Sequence, residues 1–415
     1  MPNQKEDQKS VETIHTEFLT GVAGSGKTFE IKRRIAERPE YGVLASTTGV
    51  SAMNLDTVTV NSILKYYDTE SLREAFKTGR LERTLLNLTL GEGRVENLVI
   101  DEVSMLDGDA LDVLYQAIVK LKKNYDATLG LVLTGDFAQL PPVKAKFAFE
   151  ADCWPVFENT TTRLQKVWRQ SDEKFLEALN WVRKGNGYKA IKIIKDLGIE
   201  TSATNDDHFE GLTIKATNRE ADSMNNKRFA EISGSEILMR SARNGDQRSE
   251  WKNIPETLSI KVGSLVMILA NHNVEGVFEY VNGDLGIVED YDEIRQRFAV
   301  RLKRNDTTVW VSRIVRENKI RTGDANWRNG NARWQVVGTI DYMPLRLAYA
   351  ATCHKTQGLT LDRIQVDIRG FFFGNPGMVY VALSRCRTPE GLRIVGSREL
   401  LARRTIVDQK ITRFL

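Results

Sequence analysis

Gly21-Val22-Ala23-Gly24-Ser25-Gly26-Lys27-Thr28 places glycines, a lysine and a threonine at the spacing of a phosphate-wrapping loop. Glycines let successive backbone N–H groups turn inward around an anion, and the start of the following helix adds its positive dipole end. Lys27 reaches the β- and γ-phosphates of a nucleoside triphosphate, and the Thr28 hydroxyl is a ligand for Mg²⁺. The same spacing also occurs in glycine-rich turns that bind nothing. Here an apolar strand ("EFL") precedes it and a helical stretch ("FEIKRRIAE") follows, ending near Pro39. Asp101 and Glu102 close the apolar run "LVIDE". Asp101 is placed to hold the metal, and Glu102 to polarise an attacking water. A glutamate directly after the aspartate favours hydrolysis of ATP over a kinase reaction, which must exclude water.

"LTGDFAQLPPV" contributes Gln139, a neutral donor and acceptor able to contact a γ-phosphate and register its loss. Pro141 and Pro142 stiffen the exit from that loop, so a small shift is passed on. Arg169 in "LQKVWRQ" and Arg385 in "YVALSRCRT" lie far along the chain from the P-loop. Brought across a cleft, their guanidinium forks would stabilise charge on a transferring phosphoryl group. Surface ion pairing is the commoner fate of an arginine. Met378, Val381, Ala382 and Arg385 share one helical face, which would aim Arg385 from a buried helix. "ATCHKTQGLTLD" offers His354, Lys355 and Thr356 as donors to a phosphodiester backbone, with Gln357 turned to the nucleotide. His354 receives no proton-transfer role.

These residues need a parallel sheet to position them. From Glu17 onward, short apolar strands alternate with amphipathic helical stretches. "YGVLASTT", "NLVIDE" and "LGLVLTGD" each end in a small or acidic polar group, and ligands of open α/β sheets collect at such strand ends. Residues 1–16 read as a flexible terminus, 17–63 with 96–155 as the first α/β unit, and 64–95 as a small insertion in it. A second α/β unit begins near Thr161 within 156–230, and resumes over 336–415. Within it, 231–335 carries short strand signals, "SIKVGSLVMIL", "VNGDLGIVEDY", "RFAVRL" and "TVWVSRI", separated by turns; this predicts an inserted small barrel. With 415 residues, 41% hydrophobic and 27% charged, the composition is that of a soluble multidomain protein. A net charge of +4 permits a polyanionic partner without demanding one. Four histidines argue against multi-histidine catalysis, and three scattered cysteines give neither a disulfide framework nor a zinc site. No apolar run has the length of a membrane span.

In this order, the segments resemble the motifs of the superfamily 1B DNA helicases, the group containing the RecD, Dda and Pif-type enzymes. "GVAGSGKT" is similar to motif I, "ASTTGVSAMNL" to motif Ia, and "VTVNSIL" to the strand-contacting segment after it. "VIDEVSML" resembles motif II, "LTGDFAQLPPV" motif III and "VWRQ" motif IV. "LTIKATNREADSMNNKR" resembles the stretch opening the rest of the second core domain, and "VNGDLGIV" the family's barrel signature. "YMPLRLAYAATCHKTQGLTLD" resembles motif V and "VYVALSRCRT" motif VI.

The resemblance implies two RecA-like P-loop domains with ATP and Mg²⁺ between them, an insertion in the first and an SH3-like barrel in the second. It implies that Lys27, Thr28, Asp101, Glu102, Gln139, Arg169 and Arg385 form the ATPase site, with Gly24, Ser25, Gly26 and Gln357 also on the nucleotide. Thr47, Thr48, Asn61, Ser62, His354, Lys355 and Thr356 would line a groove for single-stranded DNA, and the 91–93 turn falls where the family carries a duplex-splitting pin. Tyr66, Tyr67 and Trp168 are candidate base stackers; aromatic residues more often serve a core. The family's adenine-reading glutamine has no clear counterpart, only Gln4 or Gln8. The expected activity is 5′→3′ translocation and unwinding of forked or tailed duplexes, in replication, repair or recombination. The expected agent is a cytoplasmic monomer (host cytoplasm for a phage product), with single-stranded-DNA-binding or replisome proteins as partners and no membrane. The alternatives are a translocase that only strips proteins from DNA and a nucleotide-switched ATPase that unwinds nothing.

Overall fold

The computed structural model describes residues 14–274, 277–322 and 333–415. Gln4, Gln8 and most of the 1–16 segment lie outside the described residues. The first α/β unit is a six-stranded parallel sheet of β1 (Thr16–Gly21), β2 (Gly42–Ser46), β3 (Val58–Thr59), β4 (Asn97–Asp101), β5 (Gly130–Gly135) and β6 (Thr161–Leu164), in the order β3-β2-β4-β5-β1-β6. β4 (NLVID) and β5 (GLVLTG) are buried along their whole length, as expected of central strands covered on both faces. Their carboxyl ends, with that of β1, deliver the P-loop, Asp101 and Asp136 to one edge.

β6 corrects the expected boundary. The segment from Thr161 pairs in parallel with β1 through Phe18–Thr161 to Gly21–Leu164, so it extends the first sheet and does not open the second. The second sheet is five-stranded and parallel, in the order Ala350–Thr352, Leu212–Lys215, Ile364–Asp367, Leu392–Val395, Glu200–Ser202.

Within 64–95, helices Thr69–Lys77 and Arg80–Thr89 bury Leu72, Leu81, Leu85 and Leu86 in the same core as helix Gly108–Tyr125. The unit inserted in the second sheet has a five-stranded antiparallel ladder: Thr308–Ser312, Arg297–Leu302, Leu285–Asp292, Leu265–Ile268, Leu345–Leu347. It has a separate apolar cluster that includes Val266, Ile268, Val288, Phe298 and Val300. The insertion runs past the expected end at 335, because Arg333–Tyr342 and Leu345–Leu347 are strands of its own sheets and the second core resumes only at Ala350. Among the described residues, no helix is long and apolar enough to cross a membrane.

Candidate functional site

β1 ends at Gly21, and helix Lys27–Glu37 begins where the loop finishes, so the intervening amides cluster at a helix start. Gly24 needs its glycine twice over: its φ is +82°, and a Cβ there would lie 2.7 Å from the Arg169 Cβ. Thus the P-loop and Arg169 approach as closely as backbone permits. Lys27 is buried, with Nζ donating to the carbonyl oxygens of Gly21 (2.9 Å) and Val22 (3.1 Å). Burial pushes its pKa down, while the carboxylates of Asp136, Glu102 and Asp101 hold the proton on. Ser25 is buried and Gly26 carries a φ of +86°.

The Thr28 hydroxyl donates to Asp101 Oδ2 at 2.6 Å. Two hard oxygen donors side by side at the end of a strand suit Mg²⁺. Burial, with the Asp101 charge adding to it, raises the Glu102 pKa to about 7; Lys27, Arg385 and the facing Gln357 side chain oppose the shift. Gln357 is buried and its Nε2 has no hydrogen-bond partner. The Gln357 amide thus faces Glu102 as a side-chain donor, without a well-formed hydrogen bond.

Arg169 and Arg385 enter the same cavity of about 570 Å³ as Gly24, Gly26, Lys27, Thr28, Asp101, Glu102 and Gln139. Arg169 is held by Thr360 Oγ1 (2.9 Å) and the Ser384 carbonyl (3.1 Å). Arg385 is 1% exposed and sits just past helix Met378–Leu383, with Nε on the Val381 carbonyl (2.9 Å) and Nη2 on Ser384 Oγ (2.8 Å). Burial and the mutual repulsion of the two guanidiniums lower the pKa of Arg169 to about 9. Gly377, at the start of the Arg385 helix, packs so closely on Gln139 that a Cβ would fall 2.4 Å from the Gln139 carbonyl oxygen. The segment after β5 and the helix of the second unit are therefore in direct backbone contact. Trp168 is 68% exposed, but it lies over Gly26 at the mouth of this cavity. Its indole thus sits beside the P-loop.

Sequence reading missed a buried relay beneath the loop. The Ala23 amide donates to the Tyr380 hydroxyl (2.8 Å), which lies 3.2 Å from Asp136 Oδ2. Asp136 is also bound by Arg183 at 2.8 Å, and both are almost fully buried. Tyr380 and Arg183 come from helices on the second unit's side, so the relay ties that side to the P-loop. Removing one member of a buried pair leaves the other charge uncompensated. Arg183→Ala is expected to destabilise the protein by about 3–5 kcal/mol, read as a lowered midpoint of thermal or denaturant unfolding. An unchanged midpoint would mean that the Tyr380 hydroxyl, the Ala138 amide and the nearby Lys27 charge satisfy Asp136 without Arg183.

The residues expected in the strand groove divide. Thr47 donates to the Glu102 carbonyl (2.9 Å), and Thr48 caps helix Gly49–Leu55 through the Ser51 amide (3.1 Å). Asn61 and Ser62 follow β3, His354 is exposed, and Lys355 is half-buried. The Asn54 side chain donates to the Gln357 carbonyl (3.1 Å), joining the first unit to the second. Thr356 departs from expectation: it is 0% exposed with its hydroxyl on the Cys353 carbonyl (2.9 Å), because a 3₁₀ turn folds it inward. It is a structural residue here, without a face for DNA. Tyr66 packs against the core, leaving Tyr67 exposed. The 91–93 turn is clasped by Arg321, which donates to the carbonyls of Asn87, Leu90, Glu92 and Gly93.

A family model described as an AAA domain matches residues 2–204. The ATP-dependent DNA helicase Pif1 of Bdellovibrio bacteriovorus is 31% identical over 412 residues, covering 96% of this chain and 87% of that protein. The chain belongs to the Pif1 family. Its PIF1 relative from Emericella nidulans is 30% identical, and the chain spans 61% of that longer protein. Among solved structures, Bacteroides sp Pif1 in complex with ADP-AlF4 superposes with a TM-score of 0.76 at 26% identity, over 97% of this chain and 92% of that one. Bacteroides Pif1 bound to ssDNA gives 0.56 at 26% identity, over 93% and 90%. The Pif1 family membership and the superposition agree with two parallel-sheet units of RecA type.

Proposed function

We propose that this chain is an ATP-dependent DNA helicase that translocates 5′→3′ on single-stranded DNA and separates forked or tailed duplexes by closing its two RecA-like units on ATP. The observation that carries the reading is the shared cavity. Lys27, Asp101 and Glu102 come from the first unit, and Arg385 from the second, so hydrolysis requires both. Thr28 and Asp101 would hold Mg²⁺, which supplies charge neutralisation to the phosphates. Glu102 would orient the water, Gln139 and Gln357 would sense the γ-phosphate, and the arginines would meet the charge that develops on it.

Thr47, Thr48, Asn61, Ser62, His354 and Lys355 would flank the strand on the two units. Alternating grip then converts closing and opening into movement of about one nucleotide per ATP. Backbone contacts of this kind are tolerant of sequence and sensitive to salt. Action as a monomer, a cytoplasmic setting and replisome or single-stranded-DNA-binding partners complete the proposal.

Forked duplexes with one 5′ or one 3′ tail test it. With ATP and Mg²⁺, strand separation is expected only on the 5′-tailed substrate. Separation confined to the 3′-tailed substrate would reverse the polarity. Hydrolysis stimulated by DNA without separation of either substrate would leave a translocase.

A further inference from the structure

Helix Gly49–Leu55, capped by Thr48, and β3, which ends at Thr59 just before Asn61 and Ser62 in helix Val60–Leu64, are covered by a short segment of the inserted unit, Ser249–Asn253. The approach is close. A Cβ on Gly49 would lie 3.1 Å from the Glu250 Cβ and 3.1 Å from the Asn253 Nδ2. Around it the inserted unit is fastened on three sides. Trp251, 1% exposed, packs in a cluster with Met53, Arg316 pairs with Asp56 at 2.8 Å, and the Asn282 side chain donates to the Asn54 carbonyl at 2.8 Å.

At the centre sits one carboxylate. Glu250 is 2% exposed, and its Oε2 accepts from Ser62 Oγ (2.9 Å) and Ser249 Oγ (3.2 Å), while Thr59 Oγ1, 3.4 Å away, donates to Ser62 Oγ at 2.9 Å. Arg248 lies 3.9 Å from the other oxygen, Oε1, which has no hydrogen-bond partner. Hydroxyl donors grouped around an anionic oxygen are what a non-bridging phosphate oxygen would find in the same place. We infer that Glu250 is a built-in competitor of the DNA backbone, a carboxylate from the inserted unit that fills a phosphate position in the strand groove and must leave before a phosphodiester can enter.

Two features make this contact a latch and not a permanent seam. A phosphate and a carboxylate cannot share the position, because like charges at such separation repel strongly. The docked carboxylate is also incompletely bonded, since Oε1 has the Arg248 charge at 3.9 Å but no hydrogen bond, and that weakens the docked state relative to a fully bonded one. DNA therefore meets a groove that is closed by a contact it can outcompete. Affinity for the strand is reduced by the fraction of molecules in which Glu250 is docked.

The inference rests on reading Asn61 and Ser62 as strand contacts, and the experiment separates the two. Binding of a fluorescent oligothymidylate to the full chain is measured by anisotropy and stopped flow for the wild type, Glu250→Gln, Glu250→Ala and Lys355→Ala, with thermal unfolding of each alongside. Glutamine keeps the size of Glu250 and one acceptor oxygen for the Ser62 hydroxyl while removing the charge, and thermal unfolding checks that the fold is retained. Glu250→Gln is expected to bind about tenfold more tightly, mostly through faster association. Glu250→Ala is expected to act in the same direction. Lys355→Ala, remote from Glu250 in the same groove, is expected to weaken binding. Unchanged or weaker binding in both Glu250 variants, with weaker binding in Lys355→Ala, would overturn the latch and leave the groove standing. Unchanged binding in all three variants would remove the groove assignment and the latch together.

Discussion

Lys27→Ala is expected to abolish ATP hydrolysis, with DNA-stimulated turnover falling by roughly 10³-fold or more, while binding of single-stranded DNA survives. The ammonium is the cation that the first unit aims at the P-loop mouth, held there by the carbonyls of Gly21 and Val22 and surrounded by Asp101, Glu102 and Asp136. Without it, the P-loop would offer the triphosphate only its backbone amides, and the positive charge left in the cavity would be that of Arg169 and Arg385 on the far side. The fold should tolerate the loss. Asp136 keeps Arg183, and Asp101 keeps the Thr28 hydroxyl. His354, Lys355 and Ser62 lie outside the cavity that holds Lys27, so the strand groove has no direct dependence on it. Steady-state hydrolysis with and without oligothymidylate, together with anisotropy binding, checks both halves. Retained DNA-stimulated hydrolysis would sink the assignment of the loop.

What the sequence made legible is what is local. The P-loop, "LVIDE" and "LTGDFAQLPPV" each carry strand, turn and functional side chain within about a dozen residues, and their order along the chain restricts the fold to two nucleotide-binding sheets. β6 was misassigned for the opposite reason. Its residues Thr161–Leu164 are mostly exposed and polar, as an edge strand of a parallel sheet can be, and so carry no periodic signal. The extra reach of the inserted unit was hidden because strand Arg333–Tyr342 runs directly into the second core.

Long-range polar partners left still less trace. Tyr380 lies 244 residues from Asp136, and Arg183 lies 47 away, yet the three form one buried relay. Glu250 stands in "RSEWKN", a polar stretch without pattern. Only the docking of one unit on another gives it a role. Thr356 shows the converse: a residue type suited to phosphate contact is taken inward by a single turn of 3₁₀ helix. Motif recognition therefore locates the chemistry better than it locates the surfaces that the chemistry drives.

Arg385→Ala is expected to cut the rate of ATP hydrolysis by roughly 10³-fold, equivalent to about 4 kcal/mol of transition-state stabilisation, with KM for ATP changed by no more than a few-fold. Arg385 is buried and oriented by its own segment, through Val381, Ser384 and the Leu359 carbonyl. None of these partners is a carboxylate. Burial lowers its pKa, and the charge that opposes this most is Glu102, across the cavity. A guanidinium kept charged beside a second guanidinium, Arg169, is poised to gain most when negative charge accumulates between them. That occurs as the γ-phosphoryl group transfers, whereas the ground-state phosphates are already held by the P-loop. The effect should therefore fall on kcat and leave KM nearly untouched. Arg385→Lys should restore only part of the rate, since an ammonium keeps the charge but loses the planar fork. Steady-state kinetics of both variants at saturating DNA, with thermal unfolding to confirm folded protein, decides the matter. An unchanged kcat in Arg385→Ala would make Arg385 a packing residue of its helix, and Arg169 alone would then have to supply the second unit's charge.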